Sequence, residues 1–167
     1  MKRSESRILT THTGSLPRSP ELQEVLRSRL DPKAGEVEEY RAGVDQGVAD
    51  VISRQIEIGI DVINDGEQGR VQYATYVKDR LTGFDGEQIL RARPRKDMMD
   101  FPEFAAQSGV SSSATIPWPA CTGPIEWNDR DAVRRDIKRL KTASAHATVE
   151  EMFMTAASPG GIGNFLP

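Results

Sequence analysis

The stretch from residue 36 to residue 67 constrains this fold more than any other part of the chain. Val37, Tyr40, Val44, Val48, Val51, Ile52 and Ile56 recur at spacings of three and four, which is the period of one helix face. Gly59 stands where such a helix takes its closing glycine. Ile60-Asp61-Val62-Ile63-Asn64 follows at once, a short β-branched run that fits a strand buried on both faces. Asp65-Gly66-Glu67 then forms a polar turn at the carboxyl end of that strand. A helix feeding directly into a buried strand is the return half of a crossover, and it commits the chain to alternating helices and parallel strands.

The flanking segments extend the pattern. Residues 7–12 read as a first strand that stops at Gly14. Ser19-Pro20-Glu21 supplies an N-cap, a proline at the first helical position and an early acid, and Leu22, Val25, Leu26 and Leu30 continue at helical spacing to Asp31-Pro32. Another helix begins near Arg70 and carries Tyr73, Tyr76, Val77 and Leu81 on the side expected to pack on the sheet. Residues 83–118 show no period and read as a long loop. A third strand is expected around 120–125, a helix capped by Asn128-Asp129-Arg130-Asp131 runs to about 147 with Val133, Ile137 and Leu140 inward, and a fourth strand spans 150–156 before Ser158-Pro159-Gly160-Gly161.

The fold class is therefore α/β. The glycine fingerprint of a dinucleotide fold is missing, because Thr13-Gly14-Ser15-Leu16-Pro17 puts a proline where the phosphate-binding helix would start. The remaining reading is a partial (β/α)8 TIM barrel of about four βα units, since a whole barrel needs about 250 residues. The chain stops at Asn164-Phe165-Leu166-Pro167, just after a strand and its loop, so residues 1–167 are expected to be the N-terminal half of one barrel domain.

Composition narrows the function. Lys and Arg number 22 against 25 Asp and Glu, a net charge of −3 that excludes a strongly basic nucleic-acid binder. No run approaches the roughly 18 apolar residues of a membrane span, and no apolar stretch follows the charged start, so no membrane partner and a cytoplasmic location are expected. The single cysteine, Cys121, can form neither an internal disulfide nor a cysteine-rich zinc site, and is read as a structural thiol.

Polar residues gather after the strands: His12, Ser15 and Arg18 after the first, Asp65, Glu67 and Arg70 after the second, Thr122 and Trp127 about the third, and Ser158 after the fourth. The carboxyl ends of parallel strands form the ligand face of such folds. Asp65 and Glu67 suit a substrate ammonium, while Ser15 and nearby backbone N–H groups suit a carboxylate, which together make an amino-acid clamp. The bland reading of Glu67 is a carboxylate that satisfies a helix N-terminus; its place in Asp-Gly-Glu after a strand favours a ligand. His12 either faces the site or is a satisfied loop histidine. Arg91, Arg93, Arg95 and Lys96 read as a solvated basic loop, with a polyglutamate tail as the sharper alternative. The basic residues Arg134, Arg135, Lys138, Arg139 and Lys141 are offset by Asp129, Asp131 and Asp136 and read as a solvent-facing helix side.

Four motifs stand in order at these strand ends: Thr10-Thr11-His12-Thr13-Gly14-Ser15-Leu16-Pro17-Arg18, Gly59-Ile60-Asp61-Val62-Ile63-Asn64-Asp65-Gly66-Glu67, Thr122-Gly123-Pro124 and Ser158-Pro159-Gly160. In these the chain resembles the cobalamin-independent methionine synthase family, the 5-methyltetrahydropteroyltriglutamate–homocysteine methyltransferases, over the N-terminal half of the catalytic barrel. The resemblance implies that Gly14, Ser15 and Glu67 contact homocysteine, Glu67 through its amino group. It puts Trp127 near a family tryptophan that stacks on the folate, at a different spacing, and Arg91 and Arg93 in the region of a folate-binding arginine. It implies a zinc-dependent transfer of a methyl group from 5-methyltetrahydrofolate to homocysteine in the complete enzyme, without cobalamin. The zinc ligands and the proton-donating histidine fall in the other half of the barrel, so no catalytic or metal-binding residue is assigned here and the chain alone is expected to be inactive. The substrate-binding candidates are Gly14, Ser15, Glu67, Asp65, His12 and Trp127. Two alternatives stay open: a related zinc-dependent thiol alkyltransferase of the epoxide–coenzyme M type, and a non-catalytic half-barrel subunit that pairs with the missing half or with itself.

Overall fold

Helix α2, Glu38–Glu57, organises the molecule. Its first turn carries Glu38 and Glu39, which suit the positive end of the helix dipole, and its buried face is Val44, Val48, Ile52 and Gln55. The expected closure at Gly59 is present: Gly59 N–H donates to the Ile56 carbonyl at 3.0 Å and Ile60 N–H to the Gln55 carbonyl at 2.9 Å. Helix α1, Pro20–Ser28, starts where Ser19 Oγ accepts from Leu22 N–H at 3.2 Å, and it lays Leu22 and Leu26 against α2. The computed structural model describes residues 2–28, 38–71, 73–88, 96–107 and 118–163.

Strand β1, Val62–Asn64, follows α2. The next elements are α3, Tyr73–Arg80; β2, Gly86–Gln88; α4, Lys96–Asp100; α5, Pro102–Gln107; and β3, Trp118–Ala120. Helix α6, Arg130–Ala143, then leads to β4, Glu151–Phe153, and the single turn α7, Pro159–Ile162. β1 pairs in parallel with β4, Val62 opposite Glu151 and Asn64 opposite Phe153, with the α6 crossover between them in sequence. The main core is Leu22, Leu26, Val44, Val48, Ile52, Ile63 and Leu140, with Ile63 fully enclosed. Capped by the Asp129 carboxylate, α6 contributes Ala132 and Leu140 to the interior, while Ile137, expected inward, is 41% exposed.

The α/β class holds, but three expectations change. Residues 7–12 meet β1 only at a single parallel bridge, Thr11 to Val62. Side chains take over the ladder at both ends. Asp61 Oδ2 accepts from Thr10 N–H at 2.7 Å, and Gln55 from α2 occupies the Asn64 backbone, donating to its carbonyl at 2.8 Å and accepting from its N–H at 3.2 Å. The third strand does not join β1 and β4. It lies at Trp118–Ala120 and runs antiparallel to β2, Gly86 opposite Ala120, in a separate two-stranded sheet. That arm is continued by Thr122 N–H on the Gly83 carbonyl at 2.8 Å and by a bridge between Leu81 and Trp127. Gly86 permits the approach, since a Cβ there would lie 2.7 Å from the Thr122 methyl carbon. Finally, residues 83–118, read as a loop, contain β2, α4 and α5.

Four parallel βα units are therefore not seen: parallel pairing among the described residues is confined to Thr11, β1 and β4, and these residues do not show a barrel. A second, smaller cluster of Val77 and Phe84 packs under the antiparallel arm, with Cys121 partly buried against it, in keeping with a structural thiol. Among the described residues no helix is long and apolar enough to cross a membrane.

Candidate functional site

The carboxyl end of β1 builds the site. Asn64 is buried and uses its side chain twice, donating to the His12 carbonyl at 2.7 Å and accepting from Gly66 N–H at 2.8 Å, which folds the strand end back on itself. Gly66 has φ of 56°, and a Cβ there would crowd Leu16 at 3.0 Å, so the turn needs glycine. Glu67 also lies in the left-handed region, with φ of 55°. The loop after Thr11 is stitched onto this turn: Leu16 N–H donates to the Gly66 carbonyl at 3.0 Å, Gln68 Nε2 to the Leu16 carbonyl at 3.1 Å, and Arg18 Nη2 to the carbonyls of Glu67 and Arg70 at 2.8 and 2.7 Å.

This stitching sets Ser15 beside Glu67, with Ser15 Oγ donating to Glu67 Oε2 at 2.6 Å. Thr155, two residues past β4, donates to the other oxygen, Oε1, at 2.9 Å. Arg70 Nη1 donates to Thr155 Oγ1 at 2.7 Å, and Arg70 Nη2 pairs with Asp65 Oδ2 at 3.0 Å. The electrostatics follow from these contacts. The Ser15 hydroxyl, helped by Thr155, Arg70 and Arg18, holds the half-buried Glu67 carboxyl below its ordinary range against the opposing effect of burial. Burial raises Asp65, and the neighbouring Arg70 only partly offsets it. Glu67 is thus held as a carboxylate at the strand ends, each oxygen receiving one hydroxyl proton among the described residues.

Among the expected residues, Ser15 and Glu67 come together, with Gly14 (φ of 95°) immediately before Ser15. Asp65 lies beneath them, its oxygens engaged by Arg70 and by Glu67 N–H at 3.1 Å. His12 contributes its carbonyl to Asn64, while its Nε2 is buried with no hydrogen-bond partner among the described residues. Trp127 sits on the antiparallel arm, 55% exposed, with the Arg130 guanidinium 6.0 Å from its ring, and no described contact joins it to Glu67. Ser158 caps α7 through Gly161 N–H at 3.0 Å. Arg91, Arg93 and Arg95 lie outside the described residues, and Lys96 pairs with Asp100 at 2.7 Å on the surface. Sequence reasoning missed Thr155 and the partnership that Arg70 forms with it; the only signal was the position of Thr155 just past the fourth strand.

The chemistry of the donor set does not fit a zinc site. Among the described residues no three His, Cys, Asp or Glu side chains converge on one point, and the Cys121 thiol points at the Gly123 carbonyl at 3.5 Å.

An α/β chain whose ionised groups collect past the carboxyl ends of adjoining parallel strands has the architecture of a small-molecule-binding enzyme domain. Comparison with known proteins sharpens the class. Residues 8–94 match the family model described as the cobalamin-independent synthase catalytic domain. A 5-methyltetrahydropteroyltriglutamate–homocysteine methyltransferase of Synechococcus sp. (strain JA-2-3B'a(2-13)) is 40% identical over 77 residues, covering 45% of this chain and 10% of that protein. The enzyme of the same name from Thermosynechococcus vestitus is 33% identical over 152 residues, covering 80% of this chain and 19% of its own length. A solved B12-independent methionine synthase from Shewanella sp. W3-18-1 shares the fold, with a TM-score of 0.62 and 22% identity over 94% of this chain and 40% of that one. The chain belongs to the cobalamin-independent methionine synthase family, and it spans only 10% to 19% of the length of these two curated relatives.

Proposed function

We propose that this chain carries the homocysteine-binding wall of a methyltransferase that moves a methyl group from 5-methyltetrahydropteroyltriglutamate to homocysteine, giving methionine without cobalamin. The observation that carries this reading is the Ser15–Glu67–Thr155 arrangement, a carboxylate whose two oxygens each accept one hydroxyl proton at the carboxyl ends of adjoining parallel strands. Glu67 receives the homocysteine ammonium. Ser15 and the backbone N–H groups beside Gly14 receive its carboxylate, and the thiol is directed away from this wall. His12, whose carbonyl accepts from Asn64 at the strand end, is a further candidate for this wall, and Trp127 is a candidate for the folate side. The family resemblance implies that a zinc ion would hold the thiol as a thiolate; no group of three His, Cys, Asp or Glu among the described residues would hold that ion, and the role proposed for this wall is recognition of the amino-acid end alone. A coenzyme M acceptor is disfavoured, because a sulfonate thiol offers no ammonium to Glu67.

Calorimetry of the chain with L-homocysteine tests the reading. Binding is expected, with Glu67→Gln weakening it about tenfold or more, as befits loss of a hydrogen bond to a charged group. N-acetyl-homocysteine, which has no ammonium, should bind no better to the wild type than to Glu67→Gln. Equal homocysteine affinity in the two proteins would remove Glu67 from the site.

A further inference from the structure

We propose that Arg70 and Thr155 form a positioning pair that fixes the plane of the Glu67 carboxylate and so presets it for accepting a ligand. The reasoning begins with hydrogen-bond valence. A threonine hydroxyl has a single proton, and an arginine side chain has donors only. Arg70 Nη1 lies 2.7 Å from Thr155 Oγ1, so Thr155 must accept that bond. Its own proton is then free for one partner, and Glu67 Oε1 stands 2.9 Å away. Arg70 is itself anchored, its Nη2 on Asp65 Oδ2 at 3.0 Å and its guanidinium 5.2 Å from the centre of the Tyr76 ring. Arg70 is buried, as is Asp65. The direction of every bond in the chain Asp65–Arg70–Thr155–Glu67 is thereby determined.

The consequence for Glu67 is specific. Its Oε2 is already held by Ser15, which belongs to the exposed loop after Thr11. One hydroxyl leaves a carboxylate able to rotate about its last bond, a torsion with broad wells. A second hydroxyl on the other oxygen fixes the plane of the group, and Thr155 comes from the β4 side of the sheet, across from Ser15. Preorganisation of this kind raises affinity by lowering the cost of ordering the acceptor on binding. Thr155 is thus a positioning residue, and it need not touch the ligand to affect its affinity.

As a statement about substrate affinity this rests on the homocysteine reading; as a statement about the carboxylate it does not. The experiment therefore has two arms, both on the full chain. In the first, the Glu67 carboxyl is titrated by carbon NMR without ligand in wild type, Thr155→Val, Thr155→Ala and Thr155→Ser. Loss of the hydroxyl proton should move the Glu67 titration to higher pH in the Val and Ala variants, and Ser should restore the wild-type curve. An unchanged curve in whichever of the Val and Ala variants folds overturns the proposal, as does failure of Ser to restore it. In the second arm, Thr155→Val should weaken L-homocysteine binding about tenfold while Thr155→Ser stays within about twofold of wild type. Wild-type affinity in a folded Thr155→Val overturns the positioning role. Absence of any homocysteine binding by the wild type overturns the homocysteine reading instead, and the first arm then decides the pair alone.

Discussion

Glu67 occupies backbone geometry that its own side chain makes costly. A residue with a Cβ in the left-handed region loses about 1–2 kcal/mol relative to the right-handed one, and Glu67 is the only non-glycine residue with positive φ among those described. The strain persists because its neighbours leave no alternative: Arg18 holds the Glu67 carbonyl, Asp65 Oδ1 holds its N–H, and Gly66 before it is also left-handed. Strain of this kind persists only where the surroundings over-determine the backbone, and here it coincides with the carboxylate proposed to bind the ligand. Comparing two substitutions isolates the strain. Glu67→Ala and Glu67→Gly both lose the bonds to Ser15 and Thr155, but only glycine relieves the backbone. The glycine variant should be more stable than the alanine variant by about 1 kcal/mol in urea denaturation, with both defective in homocysteine binding. Equal midpoints for the two would show that the turn carries no strain.

At the scale of elements, the sheet is narrower than the strand-forming residues suggest because side chains compete for the ladder. Gln55 is the clearest case. From α2 its amide reproduces the two hydrogen bonds that a neighbouring strand would offer Asn64, and it is 3% exposed while doing so. Replacing it with leucine would leave a buried N–H and a buried carbonyl without these partners, at about 1–3 kcal/mol for each group left unsatisfied. Gln55→Leu should therefore lose at least about 2 kcal/mol in chemical denaturation, whereas Arg54→Leu, one residue earlier on an exposed side chain, should change stability by less than about 0.5 kcal/mol. Similar losses in both would argue against the ladder role.

The same competition explains what the sequence could and could not show. Helices α1, α2 and α6 were legible because apolar spacing and caps are local properties, and β1 and β4 were legible as short β-branched or apolar runs closed by turns. The single bridge at Thr11 was not, since nothing local announces that Asp61 and Gln55 will intercept its partners. The antiparallel arm was missed because Gly86–Gln88 has no β-propensity to speak of and Pro119 breaks the periodicity of its partner. Helices of five and six residues are too short to show a period. In the site, Ser15 and Glu67 were readable as turn residues after strands. The bond from Arg70 to Thr155 spans 85 positions and exists only because β4 docks beside β1.

At the scale of the whole molecule, two apolar clusters are joined by a charged layer. Ile63 and its neighbours form one and Val77 with Phe84 the other. Between them Asp136 on α6 accepts from Tyr76 Oη at 3.1 Å and Arg80 Nη2 at 3.0 Å, both on α3, and from Arg139 Nη1 at 3.1 Å. Arg139 in turn pairs with Asp45 on α2, and the Arg80 guanidinium stacks 4.4 Å from the centre of the Tyr76 ring. The Asp136 side chain is only 13% exposed, so its removal would take from Arg80 this carboxylate in a poorly solvated place and leave Arg139 with Asp45, which costs about 3 kcal/mol or more. Asp131, on the same helix, pairs with Arg134 at 69% and 77% exposure, where such a pair is worth about 0.2–1 kcal/mol. Asp136→Ala should consequently lose at least about 2 kcal/mol more than Asp131→Ala. The loss should also be uneven. Native-state hydrogen exchange should show α3 and the antiparallel arm at residues 81–88 opening at markedly lower free energy, with α2 and β1 affected less, because α3 loses two direct bonds, from Tyr76 and Arg80, whereas α2 and β1 keep the apolar cluster of Val44, Val48, Ile52 and Ile63 and the pairing of Asp45 with Arg139. Uniform loss of protection across both clusters would mean that the molecule opens as one cooperative unit and that the charged layer is not the seam between two.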